Sequence, residues 1–484
     1  MNKSIRQLQP QIVWEYFDEI CQIPRPSKQE EQIKMYLRNF AALHQLEILE
    51  DEIGNILIRK PAFKGFETYP WVVLQSHLDM VCEKNSDCKH DFQKDPIQTQ
   101  IDGEWVKAMG TTLGADDGIG IAVQLAILSS KTIEHGPLEC LFTIDEETGL
   151  TGAFGLQRGF LKSELLLNLD SEDEGELFIG CAGGKDTVAT FELKWEKAPS
   201  QSIWYKIEVK GLKGGHSGDD IHKGLGNANK ILNRILYDSV SDFDLHLAFF
   251  DGGNLRNAIA REAFAEICIS ERWANDFETM LTKISAHIKE ELSITEPNLK
   301  IEFFQMAANE KVLASDLQKR LLNAIYACPH GVIAWSQEIP NFVETSTNLA
   351  SVKTLTDRIL VTTSQRSSSE SAKKDIVNRV AAVFHLAGAE VSHSDGYPGW
   401  KPNPNSKIVA ITSLAYEKLF HLKPKVLAIH AGLECGLIGE KYPNMEMISF
   451  GPTIKGAHSP DERIKIDTVQ MFWDLTLEIL KKVK

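Results

Sequence analysis

The sequence predicts an α/β fold: a mixed sheet flanked by helices, in a domain that is discontinuous along the chain and interrupted by an inserted α+β domain. Three observations predict it. Short, mostly apolar runs alternate with helical patterns over the first 185 or so residues, as expected for strands covered on both faces. Near residue 190 the pattern changes to amphipathic strands among longer helices. The Pro/Gly-rich stretch Gly396-Tyr397-Pro398-Gly399-Trp400-Lys401-Pro402-Asn403-Pro404 then marks a return, after which the first pattern resumes. The domains are assigned as 1–186, 187–399 and 400–484, the first and third forming one unit.

Taken in order, residues 10–22 and 28–44 place apolar side chains at helical spacing. Asn55-Ile56-Leu57-Ile58 and Trp71-Val72-Val73-Leu74-Gln75-Ser76 suit buried strands, and a Gly-rich stretch leads into a helix over Ile119 to Ala126. Leu138 to Thr143 and Leu165 to Leu169 are two further buried strands. In the insert, Ser202 to Val209 and Ala265 to Ser270 read as amphipathic strands among helices 225–238, 273–292, 313–327 and 371–388. A helix over 407–421, strands Lys425 to Ile429 and Glu446 to Phe450, and a helix over 466–482 complete the first domain.

With 484 residues, 43% of them hydrophobic and 25% charged, the chain has the composition of a globular protein with a sizeable core. Its 52 basic and 67 acidic residues leave a net charge of −15, which repels nucleic acid and anionic membranes. No apolar run reaches 18 residues, and Met1 to Pro10 carries no apolar leader core. The eight cysteines form no C-x-x-C, and several have apolar neighbours, so reduced thiols in a cytoplasmic enzyme are expected.

The informative residues are acids and histidines near the ends of strand candidates, since open α/β sheets bind ligands beyond the carboxyl ends of their strands. They are Ser76-His77-Leu78-Asp79, Gly114-Ala115-Asp116-Asp117-Gly118, Ile144-Asp145-Glu146-Glu147, Asn168-Leu169-Asp170-Ser171 and Gly456-Ala457-His458-Ser459-Pro460-Asp461-Glu462. A ligating imidazole needs its second nitrogen fixed by a carboxylate or carbonyl, and His77-x-Asp79 offers that. Each segment also has a plain structural reading. Asp116-Asp117 can cap a helix, Glu146-Glu147 can be a solvated edge, Asp170 a turn residue and His458 a packed loop histidine. Five such accidents together are a poor account.

The set resembles the metal centre of the M20 metallopeptidases, and within them the aminoacyl-histidine dipeptidase branch. The resemblance covers nearly the whole chain. It rests on His77-Leu78-Asp79-Met80-Val81, Thr111-Thr112-Leu113-Gly114-Ala115-Asp116, Thr143-Ile144-Asp145-Glu146-Glu147 and Gly215-His216-Ser217-Gly218. Gly253-Asn254-Leu255-Arg256-Asn257-Ala258, Val343-Glu344-Thr345-Ser346-Thr347-Asn348, Ile429-His430-Ala431-Gly432-Leu433-Glu434-Cys435-Gly436 and His458-Ser459-Pro460-Asp461-Glu462-Arg463 extend it. One departure is Asp117-Gly118-Ile119-Gly120, where many relatives have a lysine shortly after the bridging aspartate.

This resemblance implies a zinc peptidase with a discontinuous catalytic domain and an inserted lid that closes by hinges near 187 and 399. It implies one zinc on His77, Asp116 and Asp170, and a second on Asp116, Glu147 and His458, with Co²⁺ or Mn²⁺ as substitutes. Asp79 would orient His77, Glu146 would be the general base, and His216 would donate to the oxyanion. Arg366 would hold a C-terminal carboxylate bidentately, with Asn254 and Arg256 as weaker candidates, and further substrate contacts are expected among Glu344, Asn348, His430 and Glu434, which lie in family-like strings. Small peptides, Xaa-His and other dipeptides, are the implied substrates. An aminoacylase, a tripeptidase and a non-catalytic peptide-binding relative are the alternatives. A homodimer is an implied assembly, with His216 acting within one chain or across the dimer.

Overall fold

Val72–His77 and Leu138–Thr143 are buried at every position, which apolar strands achieve only in a sheet covered on both faces. In the computed structural model, which describes residues 4–484, they lie side by side at the centre of an eight-stranded mixed sheet. Met1–Lys3, at the start of the segment read for a leader, lie outside the described residues. Leu138–Thr143, Val72–His77, Leu165–Asn168 and Glu446–Ser449 run parallel to one another in that order. Antiparallel strands continue the sheet on either side, Ile56–Lys60 beside Leu138–Thr143 and Glu176–Cys181 beside Glu446–Ser449.

Register sets what the parallel strands present. His77 pairs with Thr143 and Gln75 with Asn168, so the carboxyl ends of three neighbouring strands are level. Asp170, two residues past Asn168, therefore emerges beside His77. The helix Ala115–Ser129 is almost wholly buried, packing on Gln11–Cys21 and on Val72–His77. Its first residues separate two adjacent acids that the sequence leaves equivalent. Asp116 and Asp117 both depart from helical backbone angles, and Asp117 Oδ1 accepts the Gly120 amide at 3.1 Å as a cap. Asp116 is left free to point elsewhere.

The second unit contains a nine-stranded sheet whose strands pair antiparallel. Helices Ala228–Phe243, Ala274–Glu291, Ser315–Ala327 and Glu370–Leu386 bury its core, which includes Phe191, Tyr205, Phe250, Phe277 and Phe384. Ser202–Lys210 and Ala263–Ser270 are the two strands read from sequence, and they pair directly. The other strands of this sheet were not anticipated.

The division between units falls at Cys181/Ala182, not at 186/187. Gly183–Glu192 is a long strand of the second sheet, paired with Arg358–Ser367 from its first residue, so residues 182–186 belong with that sheet. The chain returns to the first unit at Gly399/Trp400. Ile429–Gly432 also group with the second unit, although they lie inside the segment 400–484 assigned to the first. The Ala182 amide donates to the carbonyls of Ile429 and Ala431, which ties that short segment to the start of the second sheet. None of the eight cysteines is in a disulfide, and no helix among the described residues is long and apolar enough to cross a membrane.

Candidate metal centre and candidate substrate cluster

In the first unit, His77 ends its strand and is 1% exposed. Its Nδ1 lies 3.2 Å from the Asp79 carbonyl oxygen and 3.5 Å from Asp79 Oδ1. Its Nε2 lies 3.1 Å from Asp116 Oδ1 and 3.4 Å from Asp170 Oδ1. Asp79 is turned away from the cluster: it accepts Ser27 Oγ at 2.7 Å and the Glu146 and Glu147 amides at 3.0 and 3.2 Å. Burial alone would raise its pKa, but His77 and these donors draw it down to about 2.

The other oxygen of Asp116, Oδ2, lies 3.2 Å from His458 Nε2, and Glu147 Oε2 lies 3.0 Å from the same nitrogen. Two triads of donors result, His77–Asp116–Asp170 and Asp116–Glu147–His458, each with its atoms within 4.8 Å of one another and sharing Asp116. Glu146 stands at the first turn after the neighbouring strand. Burial lifts its carboxyl well above the usual range; His77 opposes this, and the charges of Asp170, Glu434 and Glu147 reinforce it. Glu434, expected to touch substrate, is wholly buried instead. Its Oε2 accepts Gln75 Nε2 at 2.6 Å and Thr143 Oγ1 at 2.7 Å, beneath the strand ends, because it opens the buried helix Glu434–Lys441.

In the second unit the chemistry is different. Arg366, 7% exposed, donates from Nη1 to Tyr397 Oη at 3.1 Å and lies 3.5 Å by Nη2 from His216 Nε2. Its Nε is buried without a partner, and it forms no ion pair among the described residues. His216 sits on its glycine-flanked turn, with Nδ1 accepting the Asp219 amide at 3.2 Å. His430, in contact with Ser346 Oγ at 2.7 Å, is held neutral: burial and then Arg366 push its pKa down to about 3. Asn348 spends its amide on the Ala258 and Arg256 carbonyls. Asn254 and Arg256 are engaged elsewhere, with Lys353 Nζ at 3.1 Å and Asp186 at 3.1 Å, and make no hydrogen bond to His216, Arg366 or His430. Glu344 accepts a 3.4 Å hydrogen bond from Thr345 Oγ1.

The family model described as peptidase family M20/M25/M40 matches residues 73–482. The chain belongs to that family. It is 45% identical over 480 residues to the cytosol non-specific dipeptidase of Escherichia coli (strain K12), covering 99% of each. The crystal structure of aminoacylhistidine dipeptidase from Vibrio alginolyticus superposes with a TM-score of 0.94 at 47% identity, covering 100% of this chain and 98% of that one. Aminopeptidase PepT from Bacillus cereus ATCC 10987 shares the fold at 17% identity, with a TM-score of 0.62 and coverage of 98% and 99%.

Membership of the M20 metallopeptidases implies a divalent metal, and the first unit's donors fit one. Two imidazoles and three carboxylates are a donor set suited to zinc and its neighbours. With bonds of about 2.0 Å, a tetrahedral ion separates its ligand atoms by roughly 3.3 Å. The ring-to-carboxylate distances here are 3.0 to 3.4 Å. Glu147 Oε1 is buried without a partner, as an oxygen awaiting a cation would be. Two further buried charges of this M20 chain, Arg25 and Glu462, lie against the same loops; Arg25 escaped the sequence reading, and Glu462 was quoted beside His458 without a role. Proximity to Pro24 and Pro26, and a place four residues after His458, were the only signals for them.

Proposed function

We propose that this chain is a cytoplasmic dipeptidase that holds two Zn²⁺ ions and hydrolyses Xaa-His and other dipeptides. The observation that carries the reading is the pair of donor triads sharing Asp116, with Glu146 beside them. The names and whole-chain identities of the two dipeptidases support the substrate class, and the name of the first supports the compartment. His77, Asp116 and Asp170 would hold one ion, and Asp116, Glu147 and His458 the other; Co²⁺ or Mn²⁺ would substitute. When bound, the ions supply Lewis acidity and bring the pKa of water from 15.7 toward about 7.

The chain's own residues do the rest. Glu146 accepts the proton of the attacking water as its oxygen joins the peptide carbonyl carbon, and returns that proton to the amine as the C–N bond breaks. Asp79 fixes the ring of His77 through Nδ1 and leaves Nε2 facing the cluster. His216 donates to the oxyanion. Arg366, with its buried unpartnered Nε, takes the C-terminal carboxylate.

The test is metal content together with turnover. Wild type should carry two ions per chain, lose dipeptidase activity to EDTA and regain it with Zn²⁺. Glu146→Ala should lower kcat by about 10²- to 10⁴-fold with both ions retained. Near wild-type turnover in that variant would remove Glu146 from the mechanism, and a wild-type chain that takes up no divalent ion would remove the reading itself.

A further inference from the structure

Asp116 is the donor common to both triads, so both depend on how its backbone is held. It follows the turn Leu113–Ala115, which has Gly114 at φ +68°. Two buried residues of opposite charge grip this turn. Glu462, 2% exposed, accepts four successive backbone amides: Leu113 at 2.7 Å and Gly114 at 3.0 Å on Oε2, Ala115 at 2.7 Å and Asp116 at 3.4 Å on Oε1. Arg25, also 2% exposed, donates from Nη2 to the Gly114 carbonyl and from Nη1 to the carbonyls of Leu78 at 3.0 Å and Asp79 at 2.6 Å.

Neither residue forms an ion pair with a side chain among the described residues, so each buried charge is balanced by peptide dipoles of the ligand loops. The glycines allow this approach. A Cβ at Gly114 would stand 2.6 Å from Arg25 Nη2, and one at Gly118 2.7 Å. The connections also run between loops. Arg25 ties the turn that carries His77 and Asp79 to the turn that carries Asp116. Glu462 shares its own loop with His458, and its amide donates to the Ser459 carbonyl at 3.0 Å. Docking of Glu462 on residues 113–116 therefore brings His458 to Asp116.

We propose that Arg25 and Glu462 are positioning residues that fix the Leu113–Asp116 turn before any cation arrives, so that Asp116 is presented with one oxygen toward His77 and the other toward His458. The inference rests on the two-ion reading of the site. Neither residue touches the donor atoms; both act through the backbone. Residues behind a ligand commonly change metal affinity by 10- to 100-fold.

The test is a Zn²⁺ competition titration against a chromogenic chelator, on metal-free full-length protein checked for folding by circular dichroism. Glu462→Gln keeps the size of the side chain but points an NH₂ at two backbone N–H groups. It should weaken Zn²⁺ binding 10- to 100-fold while the metal-free chain stays folded, and excess Zn²⁺ should restore kcat. Arg25→Lys, which cannot span Leu78, Asp79 and Gly114 together, should weaken it to a smaller extent. Affinity within twofold of wild type in the folded variants would overturn the proposal. Should both variants misfold, hydrogen exchange on metal-free wild type decides. Slow exchange of the Leu113–Asp116 amides supports a preformed turn, and exchange at the unstructured rate until Zn²⁺ is added refutes it. Wild type that binds no Zn²⁺ in the same titration refutes the two-ion reading instead.

Discussion

The two units place the same side chain in opposite fields. In the first, burial opposes charge on His77, but Asp170, Asp116 and Asp79 outweigh it and raise its pKa well above the ordinary value. Asp116 and Glu147 raise His458 to about 11. In the second, burial and Arg366 drive His430 to about 3. An imidazole surrounded by carboxylates marks a place where positive charge is wanted, and a divalent cation supplies it better than a proton. A neutral imidazole near an unpaired guanidinium marks a place where an anion is wanted.

The contrast is broken most forcefully at Asp116. Asp116→Ala removes a donor from both triads at once, so metal content should fall below two ions per chain and dipeptidase activity to background. Arg366→Ala in the other unit should leave two ions in place. If Asp116→Ala keeps two ions at wild-type affinity, the first unit is not the cation-binding one.

A smaller effect sharpens the second half. Hydrogen bonds to charged groups contribute about 1.5–3 kcal/mol, so Arg366→Ala should cost dipeptides roughly 10- to 100-fold in kcat/KM. Dipeptide amides, which lack the carboxylate, should be cleaved equally by the variant and by wild type. An equal loss on acid and amide substrates would show that Arg366 has another role.

The same contrast explains what could be read from the sequence. The strands of the first unit that carry the site are mostly apolar, fully buried runs, and the groups of interest come at or directly after their ends, as in Ser76-His77 and Thr143 to Glu147. Burial and chemistry are separated along the chain, so both are legible. The second unit hides its strands. Val343–Thr354 and Arg358–Ser367 are buried but rich in Ser and Thr, whose hydroxyls are satisfied across strands. Thr345 Oγ1 meets Ser367 Oγ at 2.9 Å, and Gln365 Nε2 donates to Thr347 Oγ1 at 3.3 Å. A strand that meets its polar needs sideways shows no apolar alternation. Arg25 was missed, and the buried partners of Glu434 and Glu462 went unread, for a related reason. Their partners are remote in sequence, 359 residues away for Glu434 and Gln75 and 349 for Glu462 and Leu113. No local pattern records such a contact.

The smallest effect is the one most specific to the second unit. A histidine whose pKa is depressed on folding takes up a proton in the unfolded chain before it does so in the native one. Stability linked to His430 is therefore constant above about pH 6.5, falls as the pH drops toward about 3, and levels off below that. By pH 5 the loss should be about 2 kcal/mol, with each pKa unit corresponding to about 1.4 kcal/mol. His430→Gln has no such proton to take up. Chemical denaturation at pH 7 and pH 5 should show the variant losing about 2 kcal/mol less than wild type between the two, with the carboxylates common to both cancelling in the difference. Equal losses would mean that His430 is protonated in the folded protein at pH 5, which would place negative charge near Arg366 and remove the distinction between the two units.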